Sequence, residues 1–280
     1  MLNIPVYDKY NGEKKIALLD NSTIAFMHRL EQQGYCPEYL LEVYDVVFLP
    51  SWVAEEVQDS DYRKNYVEIL CQRGIPIQLI KETLYGELMD SQEIYLYHIV
   101  KASVSRLGIF MKYMRLNVEK KDPLDMEAYE HWIQDMYEKW PMVDELTSTG
   151  RLKRKNAGEI SLTILAEIFS WHYVNTEALT MYTQDTDAYE FQQSAEEKLK
   201  KIFTDRLPIS VTYRSNDSIL CQMFRDGKLS LEIVKELRKD ARTVTYTVLR
   251  EDKTVAVETR VVENDAFCEL IQSEKVQLVL

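Results

Sequence analysis

Cysteine and histidine are scarce in this chain, four of each among 280 residues, and none stands at a metal-binding or redox spacing. Cys36, Cys71, Cys221 and Cys268 form no C-x-x-C pair, and His28, His98, His131 and His172 form no H-E-x-x-H or H-x-H arrangement. A structural zinc site, a disulfide framework and a histidine-based centre therefore have no support, and the cysteines are expected to be buried free thiols. Glycine and proline are also few, 8 and 7, and no repeat or low-complexity tract interrupts the chain. Those shortages exclude a linker-rich or disordered protein and point to a compact globular one. Positive charge is short as well: 34 Lys and Arg against 46 Asp and Glu leave a net charge of −12. A protein that coats nucleic acid or an anionic membrane needs the opposite balance, so any polyanion contact here must be local. No apolar run approaches the roughly 18 residues of a spanning helix, and "MLNIPVYDKYNGEKK" has no apolar core behind a basic start. The expectation is a soluble, cytoplasmic protein with no membrane partner.

What is present is an alternation of short apolar runs with amphipathic stretches. "KKIALLDNSTIAFMHRLEQQG" reads as a buried strand at 16–19, then a helix to residue 33 that Asn21, Ser22 or Thr23 can cap. "DVVFLPSWVAEEVQ" repeats the pattern with a strand at 46–49 and a helix opening at Ser51, and "IPIQLI" at 75–80 is a third strand after a helix over 61–72. The pattern returns at "KNAGEISLTILAEIFSWHYV", a helix with Ile160, Ile164 and Ile168 on an apolar face. "EALTMYT" and "PISVTYRS" are then strands four and five, with the helix "AYEFQQSAEEKLKKIF" between them, and two short helices separated at Gly227 follow. This order predicts right-handed crossovers and a three-layer α/β/α parallel sheet.

Two segments stand outside that alternation. Residues 84–150 read as helical throughout, with aromatics and methionines at three- and four-residue spacings that suit helix packing, and constitute a helical insertion. "RTVTYTVLREDKTVAVETRVV" alternates β-branched residues on either side of "EDK" and predicts an antiparallel hairpin in a small C-terminal β extension. The expected organisation is a core in two parts, residues 1–83 and 151–240, with the insertion at 84–150 and the extension at 241–280.

Carboxylates occupy the places where a parallel sheet gathers functional side chains, the carboxyl ends of strands and the starts of the helices that follow. Asp20 ends the first strand, Glu56 lies one turn into the helix after the second, Glu159 opens the helix that resumes the core, and Asp185 follows the fourth strand with Asp187 two residues on. Clustered acids repel one another unless a cation lies between them, and oxygen donors without His or Cys select Mg²⁺ or Mn²⁺. Such a site suits water activation and stabilisation of charge on a phosphodiester under attack. The densest basic run, "RLKRKNAGE", sets Arg151, Lys153, Arg154 and Lys155 beside Glu159, where they could hold flanking phosphates. Glu167, two turns past Glu159, is expected to be a solvated acid.

The strings "IALLDNSTI", "LPSWVAEEV", "AGEISLTILA" and "YTQDTDAYEF", in that order, resemble the PIN domain, a metal-dependent nuclease fold. The resemblance spans roughly residues 15–83 and 151–238. It implies catalytic acids at Asp20, Glu56, Glu159 and Asp185, with Glu55 as an alternative to Glu56. It also implies a metal site of Asp20, Glu159, Asp185 and Asp187, and substrate contacts from Ser22, Thr183, Lys153, Arg154 and Lys155. Implied with it are Mg²⁺ or Mn²⁺ as cofactor and endonucleolytic cleavage of single-stranded RNA to 5′-phosphate and 3′-hydroxyl ends. The rival reading is a catalytically silent PIN-like scaffold or protein-binding module, and a DNA-directed nuclease is a second alternative. The bacterial toxins of that family bring in an inhibitory, antitoxin-like protein and a homodimer as partners to consider.

Overall fold

The computed structural model describes residues 2–90, 92–119, 126–139, 142–238, 240–250 and 253–279. Short apolar runs and amphipathic stretches become strand and helix in turn: β1 (Lys15–Leu19), α1 (Asn21–Gln32), β2 (Val46–Pro50), α2 (Ser51–Gln58), α3 (Asp61–Gln72) and β3 (Ile77–Ile80). The insertion holds α4 (Tyr85–Leu88), α5 (Glu93–Ser103), α6 (Gly108–Tyr113) and α7 (Met126–Glu138), then a hairpin of β4 (Met142–Leu146) and β5 (Leu152–Arg154). The core resumes with α8 (Ala157–His172), β6 (Ala178–Tyr182), α9 (Thr186–Leu199), β7 (Val211–Arg214), α10 (Asn216–Arg225) and α11 (Leu231–Arg238). The chain finishes with β8 (Arg242–Leu249), β9 (Val255–Val262), α12 (Asn264–Gln272) and β10 (Val276–Leu278).

Five strands form a parallel sheet in the order β3-β2-β1-β6-β7, flanked by helices as a three-layer α/β/α arrangement requires. Ile16 to Leu19 and Val46 to Leu49 are fully buried, because helices cover both faces and leave no solvent side for polar residues to alternate onto. Register sets Leu19 beside Tyr182, so β1 and β6 end together and Asp20 and Thr183 leave the sheet as neighbours. The strand order also reverses there, since β1 leads outward to β2 and β3 while β6 and β7 lie on its other side. In open α/β sheets, such a reversal splays the flanking loops and opens a crevice at the carboxyl ends of the strands.

Helix α8 departs from the expected one-sided apolar face. From Ile160 to Trp171 every residue is buried, Ser161, Thr163, Glu167 and Ser170 included, because α2, α5 and α9 all pack against it. The reading of residues 84–150 as helical throughout fails at the β4–β5 hairpin. Gly150, at φ +81°, supplies the left-handed residue of a turn closed by the Thr147 N–H donating to the Arg151 carbonyl at 2.8 Å. That segment also includes residues 120–125, 140 and 141, which lie outside the described residues.

At the C-terminus β8 and β9 pair antiparallel, as the alternation predicts, and β10 adds a third strand to give a separate sheet in the order β10-β8-β9. Residues 251 and 252 of the expected "EDK" turn are outside the described residues. This unit is anchored by Arg238, fully buried, whose Nε donates to Asp217 at 2.9 Å while its Nη1 donates to the Val262 carbonyl and to Asn264 at 2.8 and 3.0 Å. The four cysteines are free thiols, although Cys36 is exposed and only Cys221 is buried. Among the described residues no helix is long and apolar enough to cross a membrane.

Candidate active site at the carboxyl end of the sheet

Asp20 occupies the strand-to-helix turn after β1 and is itself the cap of α1, the role the sequence offered to Asn21, Ser22 or Thr23. Its Oδ1 accepts from the Asn21 N–H at 2.8 Å, because the first amides of a helix have no partner within it. Its Oδ2 accepts from Ser22 Oγ at 2.5 Å and Thr183 Oγ1 at 3.0 Å. These two hydroxyls also tie the neighbouring loop down: Thr183 Oγ1 accepts from the Asp185 N–H at 3.0 Å and Ser22 Oγ from the Gln184 N–H at 3.2 Å. Ser22 and Thr183 thus hold Asp20 in one orientation, and Thr183 is buried beneath it.

Three further acids converge on this turn. Asp185, half-buried, lies within hydrogen-bond reach of Asp20 and Ser22, and its carboxyl is pushed up to about 6, first by burial and then by the charge of Asp20. Glu159, in the first turn of α8, is pushed up to about 7 by burial, then by Asp20, with Asp185 and Asp187 adding to it. Glu56 on α2 is pushed up to about 8 by burial, then by Asp20 and Glu159, against an opposing pull from Arg151. Asp187 is exposed on the first turn of α9 and acts on the group through its charge. Gly158 makes the approach of α2 to α8 feasible: a Cβ there would lie 3.1 Å from Glu56 Oε1 and 3.4 Å from Val53 Cγ2.

Neighbouring acids that raise one another's proton affinity form a site of high negative potential, which attracts a cation. All the donors are hard oxygens, as Mg²⁺ or Mn²⁺ prefers, and the Oδ1 of Asn21, whose Nδ2 donates to Glu56 Oε2 at 3.4 Å, is buried with no hydrogen-bond partner. The donor set fits such an ion in kind. Among the described residues no group of three or more Asp, Glu, His or Cys side chains stands close enough together to hold a metal ion.

Adjacent Glu55 belongs to a different environment. Its Oε2 accepts from Tyr137 Oη and faces Arg154 Nη1 at 3.3 Å and Arg151 Nη1 at 3.7 Å. One residue along α2 separates the acid that faces the cluster from the acid that faces the basic hairpin. Arg151 also pairs with Asp59 at 2.7 Å and Lys153 with Glu145 at 2.8 Å, while Lys155 is exposed. The basic run is therefore part of a hairpin that Arg151 and Arg154 dock by ion pairs on α2. Glu167 is likewise no solvated acid: it is fully buried, accepts from Trp171 Nε1 at 2.7 Å, and its carboxyl is pushed up to about 8 by burial.

Sequence reasoning missed the site roles of Asn21, Gly158 and Glu82. Buried Glu82 accepts from the Trp52 N–H at 3.0 Å, from Ser161 Oγ at 2.7 Å and from Ser51 Oγ, joining the starts of α2 and α8, the helices that carry Glu56 and Glu159. The glycine of "GE" was a usable signal; nothing local marked Glu82. Comparison with protein-family models, curated proteins and solved structures finds no match for this chain.

Proposed function

We propose that the chain is a PIN-like, metal-dependent phosphodiesterase, most simply an endoribonuclease acting on single-stranded RNA. The observation that carries this reading is the convergence of Asp20, Glu56, Glu159 and Asp185, from four separate segments, at the strand-order reversal. Asp20, Glu159 and Asp185, with Asp187 at the margin, are the residues that would hold Mg²⁺ or Mn²⁺. When bound, the ion would supply Lewis acidity to activate water and offset the charge that develops on the phosphodiester. The protein's own part is orientation. Ser22 and Thr183 lock the Asp20 carboxylate in place, and Asn21 Nδ2 steadies Glu56 Oε2 at 3.4 Å. Glu82 fixes α2 against α8, which holds Glu56 beside Glu159.

A second reading, a silent scaffold of the same fold, draws support from the open spacing of the acids. Asp20→Asn separates the two. The nuclease reading expects cleavage of labelled RNA with Mn²⁺ to be lost while circular dichroism and the unfolding midpoint are retained; an Asp20→Asn variant that cuts as fast as the parent protein sinks it.

A further inference from the structure

A cavity of about 510 Å³ opens beside the acid cluster, between α2, the β4–β5 hairpin and the start of α8. Its size falls in the roughly 300–1,000 Å³ range of small-ligand pockets. Glu56 and Glu159 share its lining with Arg63, Arg151 and Arg154 and with Glu55 and Asp59. The surroundings of Arg154 are a built structure. Tyr137 stacks on Trp52 with ring centroids 4.7 Å apart and planes 16° from parallel, and the Arg154 guanidinium lies 4.1 Å from the Tyr137 centroid. The aromatic stack fixes Arg154 in place at little entropic cost, yet its ionic partner is a poor match. Glu55 Oε2 stands 3.3 Å from Arg154 and 3.7 Å from Arg151, against roughly 2.7–2.9 Å for a well-made charge-assisted bond, and the buried Nε atoms of Arg154 and Arg63 have no hydrogen-bond partner.

We propose that this pocket is a phosphate subsite for a single-stranded nucleic acid crossing the acid cluster, and that Glu55 occupies the phosphate's place in the free protein. The inference deepens the nuclease reading and rests on it for the identity of the ligand. The Arg154 guanidinium offers planar donors that a phosphodiester accepts, Arg151 stands beside it on its 2.7 Å bond to Asp59, and both line the same cavity as Glu56 and Glu159. A net charge of −12 over the whole chain confines polyanion binding to such a local patch. Arriving phosphate displaces Glu55 from Arg154 and Arg151, so Glu55 acts as an internal competitor that lowers affinity for the chain.

The test measures binding without cleavage. Fluorescein-labelled single-stranded RNA and DNA dodecamers are titrated in EDTA against the parent protein, Glu55→Gln, Arg154→Gln and the double variant. Freed of its competitor, Glu55→Gln should bind about tenfold tighter, with a steeper dependence on salt by about one phosphate contact. Arg154→Gln should bind about tenfold more weakly with a shallower slope and should cancel the gain in the double variant. Equal or weaker binding by Glu55→Gln at an unchanged slope overturns the proposal. So does failure of all four proteins to bind either dodecamer, or competition by polyglutamate as effective as by unlabelled oligonucleotide. The two ideas separate cleanly: tighter binding by Glu55→Gln in a protein that never cuts keeps the subsite and removes the nuclease, while metal-dependent cutting with no Glu55 effect does the reverse.

Discussion

Replacing Glu56 with glutamine is expected to stabilise the metal-free protein while abolishing the cleavage proposed above. The carboxyl of Glu56 is pushed from the ordinary 4.5 to about 8, by burial first and by Asp20 and Glu159 after it. At pH 7 the folded chain therefore still holds a proton that the unfolded chain has released. An acid whose folded value is raised contributes fully to stability below its unfolded value, and that contribution is lost as pH rises through the folded one. Over the interval from 4.5 to 7, at about 1.4 kcal/mol per pH unit, the loss amounts to roughly 3 kcal/mol. Glutamine keeps the shape, retains an oxygen for Asn21 Nδ2 and carries no such dependence. Thermal unfolding in EDTA at pH 5, 6, 7 and 8 should show a variant that gains on the parent protein as pH rises, with its Tm higher by about 5 °C at pH 7. Mn²⁺ should then raise the parent's Tm more than the variant's. Parallel pH profiles, or a variant less stable at pH 8 than at pH 5 relative to the parent, would refute the claim that burial beside Asp20 and Glu159 raises the Glu56 carboxyl.

Gly158→Ala sets a methyl group 3.1 Å from Glu56 Oε1, so cleavage should fall by about tenfold or more with little change in folding, as single-turnover rates on labelled RNA would show. Glu82→Ala leaves Ser51, the Trp52 N–H and Ser161 without their buried acceptor and should cost about 3–5 kcal/mol in urea unfolding. Glu82→Gln should cost less and should flatten the fall in stability between pH 4.5 and 7, because burial pushes that carboxyl up to about 7. Arg238→Ala leaves buried Asp217 with the longer 3.5 Å contact to Arg242 in place of its 2.9 Å pair and should destabilise by about 3 kcal/mol; amide exchange should then accelerate most over the β8–β10 unit, which Arg238 ties to α10.

The core strands were legible because each is a short apolar run ended by charge or by a capping residue, and local composition suffices for that. Their lateral order was not: no local pattern states that β6 lies against β1, and this pairing brings Asp185 to Asp20. The acids were legible as positions, at strand ends and helix starts, whereas their partition was not. Glu55 and Glu56 differ by about 100° around α2, and only packing reveals that one faces the arginines and the other the acids. The β4–β5 hairpin escaped notice because strands of five and three residues carry too little alternation to outweigh a long helical neighbourhood. Glu167 misled for a related reason: an acid in a helix is usually solvated, and the donor that permits its burial, Trp171 one turn on, is a signal only once α8 is known to be enclosed.

The nuclease reading stands or falls on incubating the protein with end-labelled single-stranded RNA and a matching DNA, with Mn²⁺, with Mg²⁺ and with EDTA, beside Asp185→Asn. Internal cuts of the RNA bearing 5′-phosphate and 3′-hydroxyl ends are expected with either metal and should be absent with EDTA and absent in the variant. Intact strands in every lane, or cutting that survives both EDTA and Asp185→Asn, would contradict it.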